Sequence, residues 1–153
     1  METILEASIW GEKIGVLAWD HRAELGIFEF YDSFPSTGFD LAPLTMPLEA
    51  IGRGNRIFSF PAHRGKIVKG LPGMLADSLP DDYGNAIIDE YFTSRGLSSV
   101  EVTPVDRLCY IGKRAMGALE FKPARHEQFL NSSTLIEMDH LTALACIMCH
   151  GSF

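Results

Sequence analysis

The chain has 153 residues, 46% of them hydrophobic and 22% charged, with a formal net charge of −7. That length and apolar content fit one globular domain with a real core, so disorder is not the starting expectation. The acidic balance argues against a primary nucleic-acid binder, because loose binding to phosphate backbones needs an excess of lysine and arginine.

Met1 to Trp10 contains Glu2 and Glu6 and lacks a basic start followed by an apolar run, so no signal peptide is read there. No stretch approaches the ~20 apolar residues of a membrane helix. A cytoplasmic protein without membrane contact is expected. Three cysteines, an odd number, fit reduced thiols better than a disulfide framework.

Glu2 to Trp10 reads as a short strand and Gly11-Glu12 as a turn. Lys13 to Trp19 is a second strand, with Ile14, Val16 and Ala18 alternating with Gly15, Leu17 and Trp19. Asp20-His21-Arg22 is a β-turn, and Ala23 to Tyr31 is a third strand carrying Leu25, Ile27, Phe28 and Phe30. This order is a meander of β-branched and aromatic residues suited to a half-buried pleated surface. Prolines and glycines from Pro35 to Gly73 break up any long element in the next segment. Short strands are expected at Leu41–Met46 and Ile57–Phe60, within an ordered loop region whose Phe39, Leu44, Phe58 and Phe60 need burial.

The second half is helical. Pro80-Asp81-Asp82 opens a helix whose Tyr83, Ile87, Ile88, Tyr91 and Phe92 are spaced for one apolar face. Its acidic start suits the helix dipole, and Gly96 is a natural stop. A second helix has Thr103 as N-cap, Pro104 at its first position and Asp106 completing a capping box. Val105, Leu108, Cys109 and Ile111 pack it and Gly112 ends it. Ala115–Phe121 is a strand candidate, residues 122–133 look like a polar connector, and Leu135–Cys149 is a last helix candidate. The expected class is α+β: a small antiparallel sheet or partial barrel from the N-terminal meander, two short helices and a final strand, plus a C-terminal helix.

From Leu71 to Pro123 these features come in a recognisable order. Leu79-Pro80-Asp81 opens a helix with Ile87 and Ile88 that ends in Gly96-Leu97-Ser98. Val105-Asp106-Arg107-Leu108 follows, ending in Gly112, and then Gly117-Ala118-Leu119-Glu120-Phe121-Lys122-Pro123. The stretch resembles the N-terminal subdomain of HipA-type serine/threonine kinase toxins, and Trp10-Gly11-Glu12-Lys13-Ile14-Gly15-Val16-Leu17 is similar to that family's first hairpin. The resemblance implies a division into a HipA-like N-terminal subdomain at 1–123, a connector at 124–134 and a C-terminal helix and tail at 135–153. In the family, the nucleotide loop with its lysine follows this subdomain, and the catalytic and metal-binding aspartates come much later. None of these is assigned in this chain, although phosphoryl transfer needs a phosphate cradle, a carboxylate-held metal and a positioned base. The resemblance therefore implies a non-enzymatic module of a toxin–antitoxin system. It would bind or regulate a kinase core, in cis or as a separate chain, and reach a DNA-binding antitoxin only through that complex. The alternative is an inactive, truncated remnant of a full-length toxin.

Other motifs carry less. Cys146-Ile147-Met148-Cys149-His150 matches the C-x-x-C-H haem-attachment pattern, but haem attachment needs export. A zinc site at Cys146, Cys149 and His150 would need Cys109 or His140 as fourth ligand, so metal binding is a lesser alternative and no cofactor is expected. Gly65-Lys66 and Gly112-Lys113 lack the earlier glycine of a phosphate loop, since Phe60 and Arg107 occupy that position. Asp77, Asp81, Asp82, Asp89 and Glu90 form an acidic cluster, read as helix capping and a solvated face. Arg53, Arg56, Arg64, Lys66 and Lys69, with Lys113 and Arg114, are the candidates for contact with a partner, because complementary charge steers association.

Overall fold

The computed structural model describes residues 4–65, 68–115 and 117–124. The meander forms: β1 (Ile4–Ile9), β2 (Glu12–Asp20) and β3 (Leu25–Phe30) are joined by tight turns. Trp10 and Gly11 make the first turn, both with positive φ, 49° and 83°. Two left-handed residues give the hairpin turn whose twist matches its strands. The turn therefore lies one residue earlier than expected. At the second turn Asp20 Oδ1 accepts from the N–H groups of Arg22 at 2.8 Å and Ala23 at 3.0 Å, the local bonding that makes aspartate a turn former.

Two further strands complete an open antiparallel sheet rather than a closed barrel. β4 (Ile57–Phe58) pairs with β3 and β5 (Leu119–Pro123) with β1, giving the order β4-β3-β2-β1-β5. The period-2 pleat puts Leu5, Ala7, Leu17, Phe28, Phe30 and Phe121 on one face. That face is the main core. Helix α1 (Leu48–Gly52) contributes Ile51, α2 (Gly73–Ala76) contributes Leu75, and α4 (Pro104–Ile111) contributes Val105, Leu108 and Cys109. The opposite face holds a smaller cluster of Ile4, Val16 and Ala18, with Tyr31 and Ala124 packed against it. Glu6 and Glu29 lie in register with Val16 on this face, both buried. Buried carboxylates need partners. Glu6 accepts from the Tyr31 hydroxyl at 2.9 Å and pairs with Lys13 at 3.1 Å; Glu29 lies 3.7 Å from Arg56.

Helix α3 (Asp82–Ser94) forms a third layer, resting on α4 instead of on the sheet. Ile88, Phe92 and Val102 form a separate cluster with Tyr91 and Tyr110, whose rings lie 4.5 Å apart. Arg107 ties the layers together from α4: one guanidinium nitrogen is 2.6 Å from Asp89 and another 3.2 Å from Asn85, both on α3. Both helices begin where their capping residues predict. Asp81 accepts from the Gly84 N–H at 2.9 Å. Thr103 accepts from the Asp106 N–H at 3.1 Å, and Asp106 accepts from the Thr103 N–H at 2.8 Å.

The structure differs from expectation at several places. Leu44 is 97% exposed instead of buried, and β4 ends at Phe58 instead of Phe60. Leu41–Met46 is not a strand but a turn closed by a lone bridge between Ala42 and Met46, since Pro43 has no N–H to give a ladder. Helices α1 and α2 form where no helix is expected, within and just after the turn-rich segment. β5 starts at Leu119 instead of Ala115, after Gly117 turns the chain at φ 126°. The connector beyond Ala124, the C-terminal helix expected within 135–153 and the Cys146-Cys149-His150 motif lie outside the described residues. Among the described residues, no helix is long and apolar enough to cross a membrane.

Candidate functional site

The basic candidates do not converge. Arg53 pairs with Glu49 one turn earlier on α1. Arg56 is engaged internally, donating to the Phe30 carbonyl at 3.0 Å and pairing with Asp32 at 3.0 Å. Arg64 donates from Nε to the Ala23 carbonyl at 2.6 Å, at the opposite end of β3. The six residues of β3, about 17 Å at ~3.3 Å per residue, separate the two arginines. Lys69 is exposed near Arg64's end, where the Gly26 N–H meets the Gly70 carbonyl at 2.9 Å. Lys66 lies outside the described residues. Lys113 and Arg114 sit in the 3-10 turn Gly112–Arg114 that follows α4. Gly112 ends that helix at φ 56° and belongs to no phosphate loop.

The acidic cluster is also distributed by role. Asp81 caps α3 and Asp89 pairs with Arg107. Asp77, Asp82 and Glu90 are exposed. Among the described residues, no group of three or more His, Cys, Asp or Glu side chains is placed to hold a metal.

An apolar groove with a cavity volume of about 280 Å³ opens between α3 and the end of α4. Leu79, Pro80, Ile87, Ile88, Tyr110 and Ile111 line it, with Asp81 on the α3 side and Arg114 on the α4 side. The volume is just under the ~300–1,000 Å³ usual for small-molecule sites. Beside it, Tyr83 is 76% and Ile87 45% exposed. Residues four apart lie on one stripe of a helix. The apolar arc of α3 therefore splits: Ile88 and Phe92 face α4, while Tyr83 and Ile87 form a second, outward stripe. Sequence spacing places all of them on one face. The signal for the split is the width of the arc, broader than a helix needs to rest on one neighbour.

The α3 wall of the groove is acidic, while the α4 wall carries Arg114. From Gly70 to Ser94 the chain has five acidic residues and no lysine or arginine. Elsewhere, the Tyr31 phenol is pushed well above its ordinary value, first by burial, then by its hydrogen bond to Glu6 and the negative charges of Glu6 and Glu29. The exposed Glu101 carboxyl is held lower than usual by hydrogen bonds from the Ser98 N–H and hydroxyl. Neither group lines the groove.

No curated protein and no solved structure matches the chain. The family profile described as the HipA N-terminal domain matches residues 5–122, spanning β1 to β5 and the groove between α3 and α4. The match covers well over half of the 153 residues, and the chain belongs to the HipA N-terminal domain family.

Proposed function

We propose that this chain is the non-catalytic docking module of a HipA-type toxin–antitoxin system. It binds a HipA-type kinase core, in cis within one polypeptide or in trans as a separate chain, and regulates it. The kinase core supplies the phosphate cradle, the metal-binding carboxylates and the base that phosphoryl transfer requires. A DNA-binding antitoxin is reached through the complex, in the cytoplasm, with no direct contact between this chain and nucleic acid or membrane.

One observation carries the reading beyond family membership: the apolar groove flanked by the exposed Tyr83 and Ile87. Contact hot spots are enriched in tyrosine and sit in pockets that exclude water. Burying an isoleucine side chain fully is worth roughly 1.5–3 kcal/mol, and Ile87 has nearly half of its surface still to bury.

The test is co-purification of the full chain with a separately expressed HipA-type kinase core from the same genome. Autophosphorylation of that core is measured with and without the chain. A complex and a changed rate support the proposal; no complex and an unchanged rate sink it.

A further inference from the structure

We infer that the groove between α3 and α4 receives an amphipathic segment of the kinase core, with bulky apolar anchors flanked by lysine or arginine. This rests on the docking reading above and names the chemistry of its contact. The floor is apolar, so the anchors are apolar. On the α3 side Asp81 lines the groove, and the exposed Asp82, Asp77 and Glu90 lie on the same basic-free stretch of chain. Asp89 in that stretch is already matched by Arg107. Basic flanks on the incoming segment would meet this negative charge and be steered toward the groove at long range.

The polarity of this contact is the reverse of that expected from the basic residues. Arg53 and Arg56 have acidic partners within this chain, and Arg64 is bonded to a backbone carbonyl. Of the seven basic candidates, Arg114 alone lines the groove among the described residues, and it does so from the α4 side. The partner's cations are therefore placed against α3.

Three variants of the full chain test this against the kinase core by calorimetric titration, at salt on the order of 0.05 M and 0.5 M. Asp81→Asn with Asp82→Asn removes charge yet keeps a good N-cap, because asparagine caps as well as aspartate. The pair is expected to weaken binding about tenfold at low salt, with a much smaller deficit at high salt. Ile87→Gln is expected to weaken binding about tenfold or more at both. Arg64→Ala with Lys69→Ala should leave the affinity within about twofold. Far-ultraviolet circular dichroism of each variant confirms that it folds. If the core binds but neither groove variant weakens it, the groove inference is overturned and the docking reading stands. If no protein binds the core, both fall together.

Discussion

The Arg107–Asp89 pair gives unequal losses depending on which partner is removed. The Arg107 side chain is 10% exposed and that of Asp89 39%. In Asp89→Ala the guanidinium stays between α3 and α4, and its bond to Asn85, at 3.2 Å, survives. An orphaned buried charge costs about 3–5 kcal/mol, and the surviving bond to Asn85 places this case near 3. In Arg107→Met the stem is kept, the charge leaves and Asp89 turns to water. What is lost is a charge-assisted hydrogen bond to Asp89 of about 1.5–3 kcal/mol, and the longer bond to Asn85, worth about 0.5 kcal/mol. Because the Asp89 carboxylate is more than a third exposed, solvent screening reduces its share to about 1 kcal/mol. Asp89→Ala is therefore worse by about 1.5 kcal/mol, a shift of roughly 0.7 M in the urea midpoint. The double variant lies close to Arg107→Met alone, because it leaves no orphan, so the two losses are strongly non-additive. Urea unfolding of the wild type and the three variants measures this. Equal losses, or a greater loss from Arg107→Met, would refute the idea that the buried guanidinium dominates the pair.

Four further outcomes are expected. Thr103→Ala removes the capping box of α4 and costs about 1 kcal/mol, whereas Thr103→Ser costs a small fraction of that; thermal melts compare them. Gly15→Ala places a Cβ 2.2 Å from the Glu29 carbonyl and so forces β2 and β3 apart, costing about 3 kcal/mol. Gly52→Ala, where a Cβ meets nothing within 4 Å, should raise stability by about 0.5 kcal/mol. The Tyr31 phenol has a folded pKa above its unfolded value near 10, so above that pH the unfolded chain releases a proton the folded chain keeps. Its contribution is complete below pH 10 and is lost as pH rises further. Wild-type stability should thus fall relative to Tyr31→Phe between about pH 10 and 12, and parallel curves would count against the buried phenol–carboxylate contact.

Local signals made parts of the fold legible. Thr103, Pro104 and Asp106 lie within four residues, and the bonds they make are set by that spacing alone, so α4 starts where the capping pattern places it. The same holds for Asp81 at α3 and for the alternation of β2. Helices α1 and α2 were hidden because elements of five and four residues are too short for a period of 3.6 to register. Neither has a side-chain cap to announce it. Least legible is which residues from separate segments meet. Basic residues close in the sequence, such as Arg56 and Arg64, attach to opposite ends of β3, a separation only the sheet reveals. Conversely, Leu79, Ile87 and Tyr110 come from three segments and meet only when α3 packs on α4. Which apolar residues of α3 remain outward depends on the angle of that packing, which sequence spacing does not encode.

Amide hydrogen exchange of the full chain, alone and with a HipA-type kinase core, tests the docking role most directly, because protection reports which backbone segments a partner covers. New protection is predicted at residues 79–88 and 110–115, the two walls of the groove. Unchanged exchange there, or protection confined to the basic loop at 53–65, would contradict it.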